Sequence, residues 1–162
     1  MTIEAGATAP AATFKTFGPD GITDVESTAL FGTGRTVLFA VPGAFTPTCH
    51  ERHMPGFVAN VAALKAKGVD RIVCLSVNDP FVMNAWGKAT GATDAGVTLV
   101  ADPDAAFTRA AGLEFDGSGA GLGVRSKRYA MVIDNGVVTS IAVEDSPGDA
   151  DRSTAEAVLA AL

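Results

Sequence analysis

The chain has 162 residues, with 12 Lys and Arg against 18 Asp and Glu, which gives a formal net charge of −6 and a pI near 4.7. This length predicts one domain, residues 1–162, with enough buried core to fold without disulfide staples. The acidic balance argues against nucleic acid as a partner, because binding a phosphate backbone needs Lys and Arg gathered on one face.

The apolar segments bear on location. The longest of them, such as residues 36–42, are far shorter than the roughly 20 residues that cross a bilayer. The N-terminus has neither a basic start nor an apolar stretch of signal-peptide length. The sequence therefore predicts no membrane partner and a cytoplasmic location.

Apolar runs of strand length alternate with segments of helical spacing along the chain. The predicted strands are residues 36–41, 71–77, 97–101, 128–134 and 137–143. The predicted helices are residues 47–67, 80–90, 104–111 and 153–162. This alternation predicts an α/β fold with helices on both faces of a largely parallel sheet. Asn135 and Gly136 are typical of a type I′ hairpin turn between the last two strands, so the sheet is predicted to be mixed.

A glycine-rich segment occupies residues 116–123. It neither follows a convincing strand nor opens a helix, and it lacks the Lys-Ser/Thr ending of a phosphate-binding loop. We interpret it as a mobile connection between a helix and the hairpin. We expect no nucleotide and no other cofactor.

The two cysteines, Cys49 and Cys74, are 74 − 49 = 25 residues apart, which matches neither a CxxC redox pair nor a zinc ligand pair. Cys49 follows Pro47, which suits the first turn of a helix. Free backbone N–H groups and the helix dipole stabilise a thiolate at such a position, which favours a nucleophile. Thr46 can place its hydroxyl beside the sulfur, where it could both donate to the thiolate and accept from an incoming substrate, and Pro42 can form a dry wall.

Residues 42–49 have the form PxxxTxxC, and the longer string VPGAFTPTCHERHMPGF, residues 41–57, closely resembles the peroxiredoxin 5 or plant type II peroxiredoxin subfamily. The resemblance continues through residues 65–68, 74–87, 99–103 and 123–132. It implies a thioredoxin-like fold, a mixed central β-sheet flanked by helices. It also implies a thiol peroxidase of antioxidant defence that reduces hydrogen peroxide, alkyl hydroperoxides and peroxynitrite without metal or flavin, and that pairs as a homodimer.

The resemblance also assigns the site residues. By position it makes Cys49 the peroxidatic nucleophile, with Thr46, Pro42 and Arg128 completing the site. An arginine is apt because it stays charged, stabilises a thiolate and can hold a peroxide oxygen. Arg125 is the nearest competitor, and strand alternation puts the two arginines on opposite faces if one strand includes both. We expect only one of them to reach Cys49.

Two histidines follow Cys49 in the same predicted helix. His53 shares a helical face with Cys49, whereas His50 does not. A Cys–His nucleophile pair is not favoured, because no third residue is visible that would orient the base. The resemblance gives His53 a supporting role in the local structure, and we expect His50 to be exposed. One turn cannot present two histidines and a cysteine as three metal ligands, so no metal site is predicted.

Pro55 lies inside the same predicted helix. It should kink the helix, because it removes one backbone hydrogen bond and clashes with the carbonyl of Glu51. The first turn could then move semi-independently. The resemblance links such unwinding to the meeting of the oxidised cysteine with its reductant.

The second half of the reaction is open at this point. Attack on a peroxide leaves Cys49 as a sulfenic acid, which condenses with a thiol. Cys74 lies mid-strand, where a packing role fits its apolar neighbours, but the resemblance also makes it a candidate resolving cysteine. Glutathione, glutaredoxin or thioredoxin could instead reduce Cys49 directly. A non-catalytic redox sensor is the alternative outside enzymes, and Trp86 is expected in a core or interface.

Overall fold

The computed structural model describes residues 1–162. Its strands are β1 (Thr13–Gly18), β2 (Gly21–Glu26), β3 (Arg35–Val41), β4 (Arg71–Ser76), β5 (Thr98–Ala101), β6 (Glu114–Asp116), β7 (Val124–Ser126), β8 (Tyr129–Asp134) and β9 (Val137–Val143). Its α-helices are α1 (Ser27–Phe31), α2 (Met54–Ala66), α3 (Pro80–Ala89), α4 (Ala92–Ala95), α5 (Ala106–Ala110) and α6 (Ala155–Ala161). No helix has the length and apolar character needed to span a bilayer.

Seven strands form one mixed sheet in the order β2-β1-β5-β4-β3-β8-β9. The central strands β3, β4 and β5 are parallel, while β8 runs antiparallel to β3 and β1 antiparallel to β5. This arrangement confirms the predicted α/β fold with a mixed central sheet. The carboxyl end of β3 meets the start of β8, so the turn with Cys49 and the residue before β8, Arg128, lie at the same end of the sheet.

The sheet separates two apolar clusters, because successive side chains of a strand point to opposite faces. On one face α2, α3 and α6 cover Phe39 and Cys74, and the buried Cys49 belongs to the same cluster. On the other face α1 and α5 cover Leu38 and Leu75. Both clusters are built on one sheet, which agrees with the prediction, still untested, that residues 1–162 form one domain.

The structure adds elements that the sequence interpretation missed. The hairpin β1–β2 extends the sheet at one edge, and the short strands β6 and β7 pair separately. The glycine-rich residues 116–123 therefore join β6 to β7, and their interpretation as a connection between a helix and the β8–β9 hairpin is wrong. Strands of three residues are too short to produce a recognisable apolar pattern.

The predicted helix over residues 47–67 is not uniform. Residues Cys49–His53 form a π-helical turn, in which the N–H of Met54 donates to the carbonyl of Cys49 five residues earlier. Pro55 follows directly, in the first turn of α2. A proline has no N–H that could donate to a carbonyl of the preceding turn, and the wider π-helical turn accommodates the missing hydrogen bond. The break in the helix lies just before Pro55 and includes Cys49.

Candidate active site

Cys49 lies at the end of the turn that leaves β3. The turn is tight: Phe45 has a left-handed backbone with φ of 62°. A Cβ on Gly43 would lie 2.6 Å from Arg125 Nη1 and 3.0 Å from Thr46 Cγ2, closer than an ordinary van der Waals contact. Glycine therefore lets the turn pack closely. Cys49 is fully buried.

Arg128 meets the sulfur of Cys49. Its Nη2 donates to Cys49 Sγ at 3.1 Å and to the carbonyl of Pro147 at 2.9 Å, while Nη1 is 3.0 Å from His53 Nδ1. Arg128 is only 2% exposed and forms no ion pair with a carboxylate. Because an unpaired buried charge is costly, the thiolate form of Cys49 is the anion that this guanidinium favours.

His53 holds the other side of Arg128. Its Nε2 lies 2.8 Å from the carbonyl of Ser153, so Nε2 carries the proton and Nδ1 accepts from Arg128. The ring packs at a tilt against Phe39 and Phe57, which stack on each other. Burial, together with the charge of Arg128, lowers the pKa of His53 to about 4. His53 is therefore neutral at pH 7, which preserves the acceptor that Arg128 needs.

Thr46 and Pro42 lie in the turn that leads from β3 to Cys49. The Thr46 hydroxyl donates to the carbonyl of Gly43 at 2.6 Å, not to Cys49. The expectation that Thr46 donates to the sulfur is therefore not met in this structure, although its lone pairs stay available to a peroxide proton. Pro42 is buried, and its carbonyl accepts from Arg125.

Only Arg128 reaches Cys49. Arg125 instead donates to the carbonyl of Pro42 at 3.1 Å and to the carbonyl of Leu122 at 2.9 Å. It thereby connects the glycine-rich loop to the active-site turn. The expectation from strand alternation does not apply, because β7 ends at Ser126 and β8 begins at Tyr129, so no one strand includes both arginines.

His50 is not exposed as expected. It is half-buried, its Nδ1 accepts from Trp86 Nε1 at 3.0 Å, and its ring stacks on Phe45. The indole N–H of a fully buried Trp86 needs an acceptor, and His50 supplies it. The two histidines of the turn therefore face different partners. No group of three His, Cys, Asp or Glu side chains is placed to hold a metal ion.

Cys74 lies in β4 opposite Phe39 of β3 and Leu99 of β5. It is a free thiol, like Cys49, and is fully buried. Burial, and then the nearby charge of Cys49, raise the pKa of the Cys74 thiol well above its ordinary value, against the opposing effect of Arg128. The structure thus keeps Cys74 protonated.

The loop of residues 145–153, which connects β9 to α6, covers the active-site turn. Thr48 donates to the carbonyl of Gly148, and Arg52 donates to the carbonyl of Ala150. Together with the bonds from Arg128 to Pro147 and from His53 to Ser153, these contacts fasten the loop to the turn. The sequence interpretation assigned no function to this loop, because its contacts use backbone carbonyls that no side-chain pattern reveals.

Comparison with known proteins identifies the family. The redoxin family model matches residues 4–159. Peroxiredoxin-2E-2, chloroplastic, of Oryza sativa is 49% identical over 99% of this chain and 73% of its own length. The reduced Prx3 of Vibrio vulnificus in complex with H2O2 has a TM-score of 0.93 and 51% identity over 99% of both chains. Peroxiredoxin 5 of Alvinella pompejana has a TM-score of 0.85 and 33% identity over 98% of this chain and 96% of its own.

These relatives correct the expected location. The rice protein and the Arabidopsis thaliana Peroxiredoxin-2E, which is 50% identical over 79% of this chain and 55% of its own length, are both named chloroplastic. The prediction of a cytoplasmic location is therefore wrong. It depended on the absence of a signal-peptide pattern, and that absence does not identify a compartment.

The comparisons and the geometry agree on the chemistry. A buried thiol faces a buried guanidinium at the carboxyl ends of the parallel strands, and the three relatives compared above are named as peroxiredoxins or Prx3. The predicted thioredoxin-like fold and thiol peroxidase activity are confirmed. The chain belongs to the peroxiredoxins, the antioxidant thiol peroxidases of the redoxin family, and is related to their plant type II and peroxiredoxin 5 members.

Proposed function

We propose that Cys49 is the peroxidatic nucleophile and that Arg128 activates it. The thiolate attacks one oxygen of ROOH, the O–O bond breaks, and a proton completes the leaving alcohol, so that Cys49 becomes a sulfenic acid and ROOH becomes ROH. Sulfur loses the two electrons that the peroxide gains. The 3.1 Å hydrogen bond from Arg128 Nη2 to Cys49 Sγ is the observation that carries this proposal.

The neighbours of Cys49 fit the remaining roles. Arg128 can stabilise the charge that develops on the leaving oxygen, because a fixed donor in a dry site needs no reorganisation. Thr46 already gives its proton to Gly43, so it can accept the peroxide proton. Pro42 excludes water without adding a donor.

We propose hydrogen peroxide as the first substrate, with alkyl hydroperoxides and peroxynitrite as further ones. The related Vibrio vulnificus protein was crystallised with H2O2. Here Cys49 is fully buried, and the half-exposed ring of Phe45 lies in the turn just before it. Access to the sulfur is therefore narrow, which favours small peroxides.

The test is stopped-flow oxidation of the reduced protein by hydrogen peroxide. Arg128→Lys keeps the charge but loses the forked geometry, so we expect the second-order rate to fall by about 10²- to 10³-fold. Arg109→Lys is the matched control, because Arg109 is exposed and pairs with Glu114. An Arg128→Lys rate within twofold (roughly) of the control would refute the assignment of Arg128.

We also propose that an external thiol, from glutathione with glutaredoxin or from thioredoxin, reduces oxidised Cys49, and that Cys74 is not an obligatory resolving cysteine. Cys74 is protonated, buried and paired on both sides in β4. Bringing it to Cys49 would break the centre of the sheet. Mass spectrometry of peroxide-treated protein tests this: an added oxygen supports the proposal, whereas a loss of two hydrogens from an internal disulfide contradicts it.

We also propose that the protein forms a homodimer through exposed aromatic side chains near the active site. Phe45 follows β3 and is 51% exposed, and Phe81 begins α3 after β4 and is 62% exposed. Carboxyl ends of parallel strands share one edge, so both rings lie on the same side of the molecule. Sedimentation of Phe45→Asp and Phe81→Asp tests this: a wild-type monomer would reject it, and dissociation by both variants would support it.

A further inference from the structure

A carboxylate that the sequence interpretation passed over anchors the 145–153 loop. Glu144 follows β9 and is 7% exposed. Its Oε1 accepts from the N–H groups of Asp151, Arg152 and Ser153 and from the Ser153 hydroxyl, all at 2.7 to 2.8 Å. Burial raises the pKa of Glu144, but the bonds from Ser153, Asp151 and Arg152 outweigh it and leave the pKa below its usual value. Glu144 is therefore a buried anion at neutral pH.

Glu144 joins the two ends of the loop. Its side chain holds residues 151–153, where the Ser153 carbonyl accepts from His53 Nε2. Its backbone N–H donates to the carbonyl of Arg128 at 2.9 Å. Between these ends lies Pro147, whose carbonyl accepts from Arg128 Nη2 and Nε. Both acceptors that orient the Arg128–His53 pair thus belong to the loop that Glu144 closes.

The other side-chain bonds within the loop are weaker candidates for this task. Asp145 and Arg152 form an ion pair on the surface, with side chains 74% and 58% exposed. Such pairs contribute little, because water screens them and both side chains lose freedom. A buried carboxylate with four donors is a stronger and more rigid connection.

We propose that Glu144 is a positioning residue for peroxide reduction: it closes the 145–153 loop so that the Pro147 and Ser153 carbonyls hold Arg128 and His53 in the orientation that directs Arg128 Nη2 at Cys49 Sγ. The inference rests on the proposed roles of Cys49 and Arg128. The Glu144 carboxylate forms no hydrogen bond with Cys49, so it acts through these two side chains.

The pH dependence of the reaction distinguishes this role from the others open to Glu144. The ionisable groups around Cys49 are Arg128, His53 and Cys74, and Glu144 is the acid beyond them. If Glu144 acted only by its negative charge, removing it would favour the Cys49 thiolate and move the acid midpoint of the reaction to lower pH. If it positions Arg128, removing it weakens the bond to the thiolate and moves the midpoint to higher pH.

The experiment is stopped-flow oxidation by hydrogen peroxide for wild type, Glu144→Ala, Glu144→Gln and Asp145→Ala. The rate is measured from about pH 4 to pH 9, because thiolate formation at a cysteine falls in this range. We expect Glu144→Ala to slow the reaction at pH 7 by roughly tenfold to a hundredfold and to raise the midpoint. Glu144→Gln keeps an acceptor oxygen and should recover part of the rate. Asp145→Ala should match wild type, because it removes only the surface ion pair.

Other outcomes overturn the proposal. A midpoint that stays in place or falls in Glu144→Ala would show that Glu144 acts through fold stability or through charge alone. If Glu144→Ala does not fold, Glu144→Asp gives the decision, because it keeps the charge but is too short to make the same bonds: an unchanged midpoint and rate in Glu144→Asp would overturn the proposal. A slow Arg128→Lys variant beside unchanged Glu144 variants would reject this inference and leave the proposed function intact, whereas an unaffected Arg128→Lys variant would reject the proposed function first.

Discussion

The two cysteines occupy similar surroundings but differ in one neighbour. Both are fully buried free thiols in the same apolar cluster on the same face of the sheet. Cys49 opens a π-helical turn and accepts a hydrogen bond from Arg128, whereas Cys74 lies inside β4 among apolar side chains. Burial alone therefore keeps a thiol protonated and inert, and a buried cation that has no other anion makes a thiolate favourable.

The largest effect should come from Cys49→Ser, and Cys74→Ser is its matched control. Cys49→Ser removes the nucleophile, and we expect the rate of hydrogen peroxide reduction to fall by at least about 10³-fold. Cys74→Ser should keep the rate within about twofold of wild type, because the Cys74 thiol takes no part in the attack. Peroxidase assays with glutathione and glutaredoxin, and then with thioredoxin, measure both variants.

Cys74→Ser should also change the stability of the protein. The Cys74→Ser hydroxyl has no donor or acceptor nearby other than strand groups already paired, so it should lower the free energy of unfolding by about 1–3 kcal/mol. Urea unfolding measures this change. A Cys74→Ser enzyme that is stable but inactive with both reductants would show that Cys74 belongs to the catalytic cycle.

The next effect concerns His53, which keeps Arg128 directed at Cys49. The pKa of His53 is about 4 in the folded protein and about 6.5 when unfolded. Between these values the unfolded chain binds a proton that the folded chain does not, so stability falls as pH drops from about 6.5 to 4, by about 3 kcal/mol. We expect His53→Gln to remove this slope.

Urea unfolding of wild type and His53→Gln across this pH range measures the slope. Both proteins should still lose the stability that ionised Glu144 contributes when the pH falls further, because the pKa of Glu144 is also below its usual value. Glu144 therefore contributes stability above its unfolded pKa that is lost as pH falls further. If the free energy of unfolding falls equally with pH in both proteins between about pH 6.5 and 4, His53 is not the neutral group that we assign.

A smaller effect should separate the two arginines. Arg125 holds the Pro42 carbonyl and the glycine-rich loop but does not reach the sulfur. We expect Arg125→Ala to slow peroxide reduction by no more than about tenfold, because only the position of Pro42 relaxes. Stopped-flow rates beside those of Arg128→Lys give the comparison. A larger loss in Arg125→Ala than in Arg128→Lys would reverse the roles assigned to them.

The smallest effect is spectroscopic. Trp86 is the single tryptophan and donates to His50 in the same turn as Cys49, so its fluorescence should change if oxidation of Cys49 moves that turn. His50→Ala removes this contact and should reduce the change without abolishing peroxide reduction. Stopped-flow fluorescence during oxidation and re-reduction measures it. A full fluorescence change in His50→Ala would show that Trp86 senses another movement.

The sequence predicted the strands with long apolar runs better than the β1–β2 hairpin. The strands β3, β4 and β8 are buried over most of their length and rich in apolar residues, so their patterns stand out, and the edge strand β9 was placed at its observed bounds. The strands β1 and β2 are largely half-exposed or exposed, and their alternation is weak. The turn signal Gly18-Pro-Asp-Gly21 between them could have indicated that hairpin.

The site shows the same division. The PxxxTxxC motif and the matching arginine predicted the contact between Arg128 and Cys49 that the structure shows, whereas the roles of Thr46 and Pro42 stay predictions. Arg128 and His53 lie 79 and 4 positions from it, and the structure joins all three. Glu144 escaped prediction because its partners are backbone amides of a later loop. His50 was wrongly expected to be exposed, because its partner Trp86 is 36 residues away in the sequence.

The 145–153 loop also bears on how this enzyme is inactivated. Its bonds to Thr48, Arg52 and His53 must break before the turn that begins at Cys49 can unwind. A sulfenic acid that remains in the pocket can meet a second peroxide and become a sulfinic acid, which ordinary thiols do not reduce. In the proposed cycle we therefore expect a looser loop to release Cys49 sooner and protect it from a second oxidation, but to order Arg128 less well.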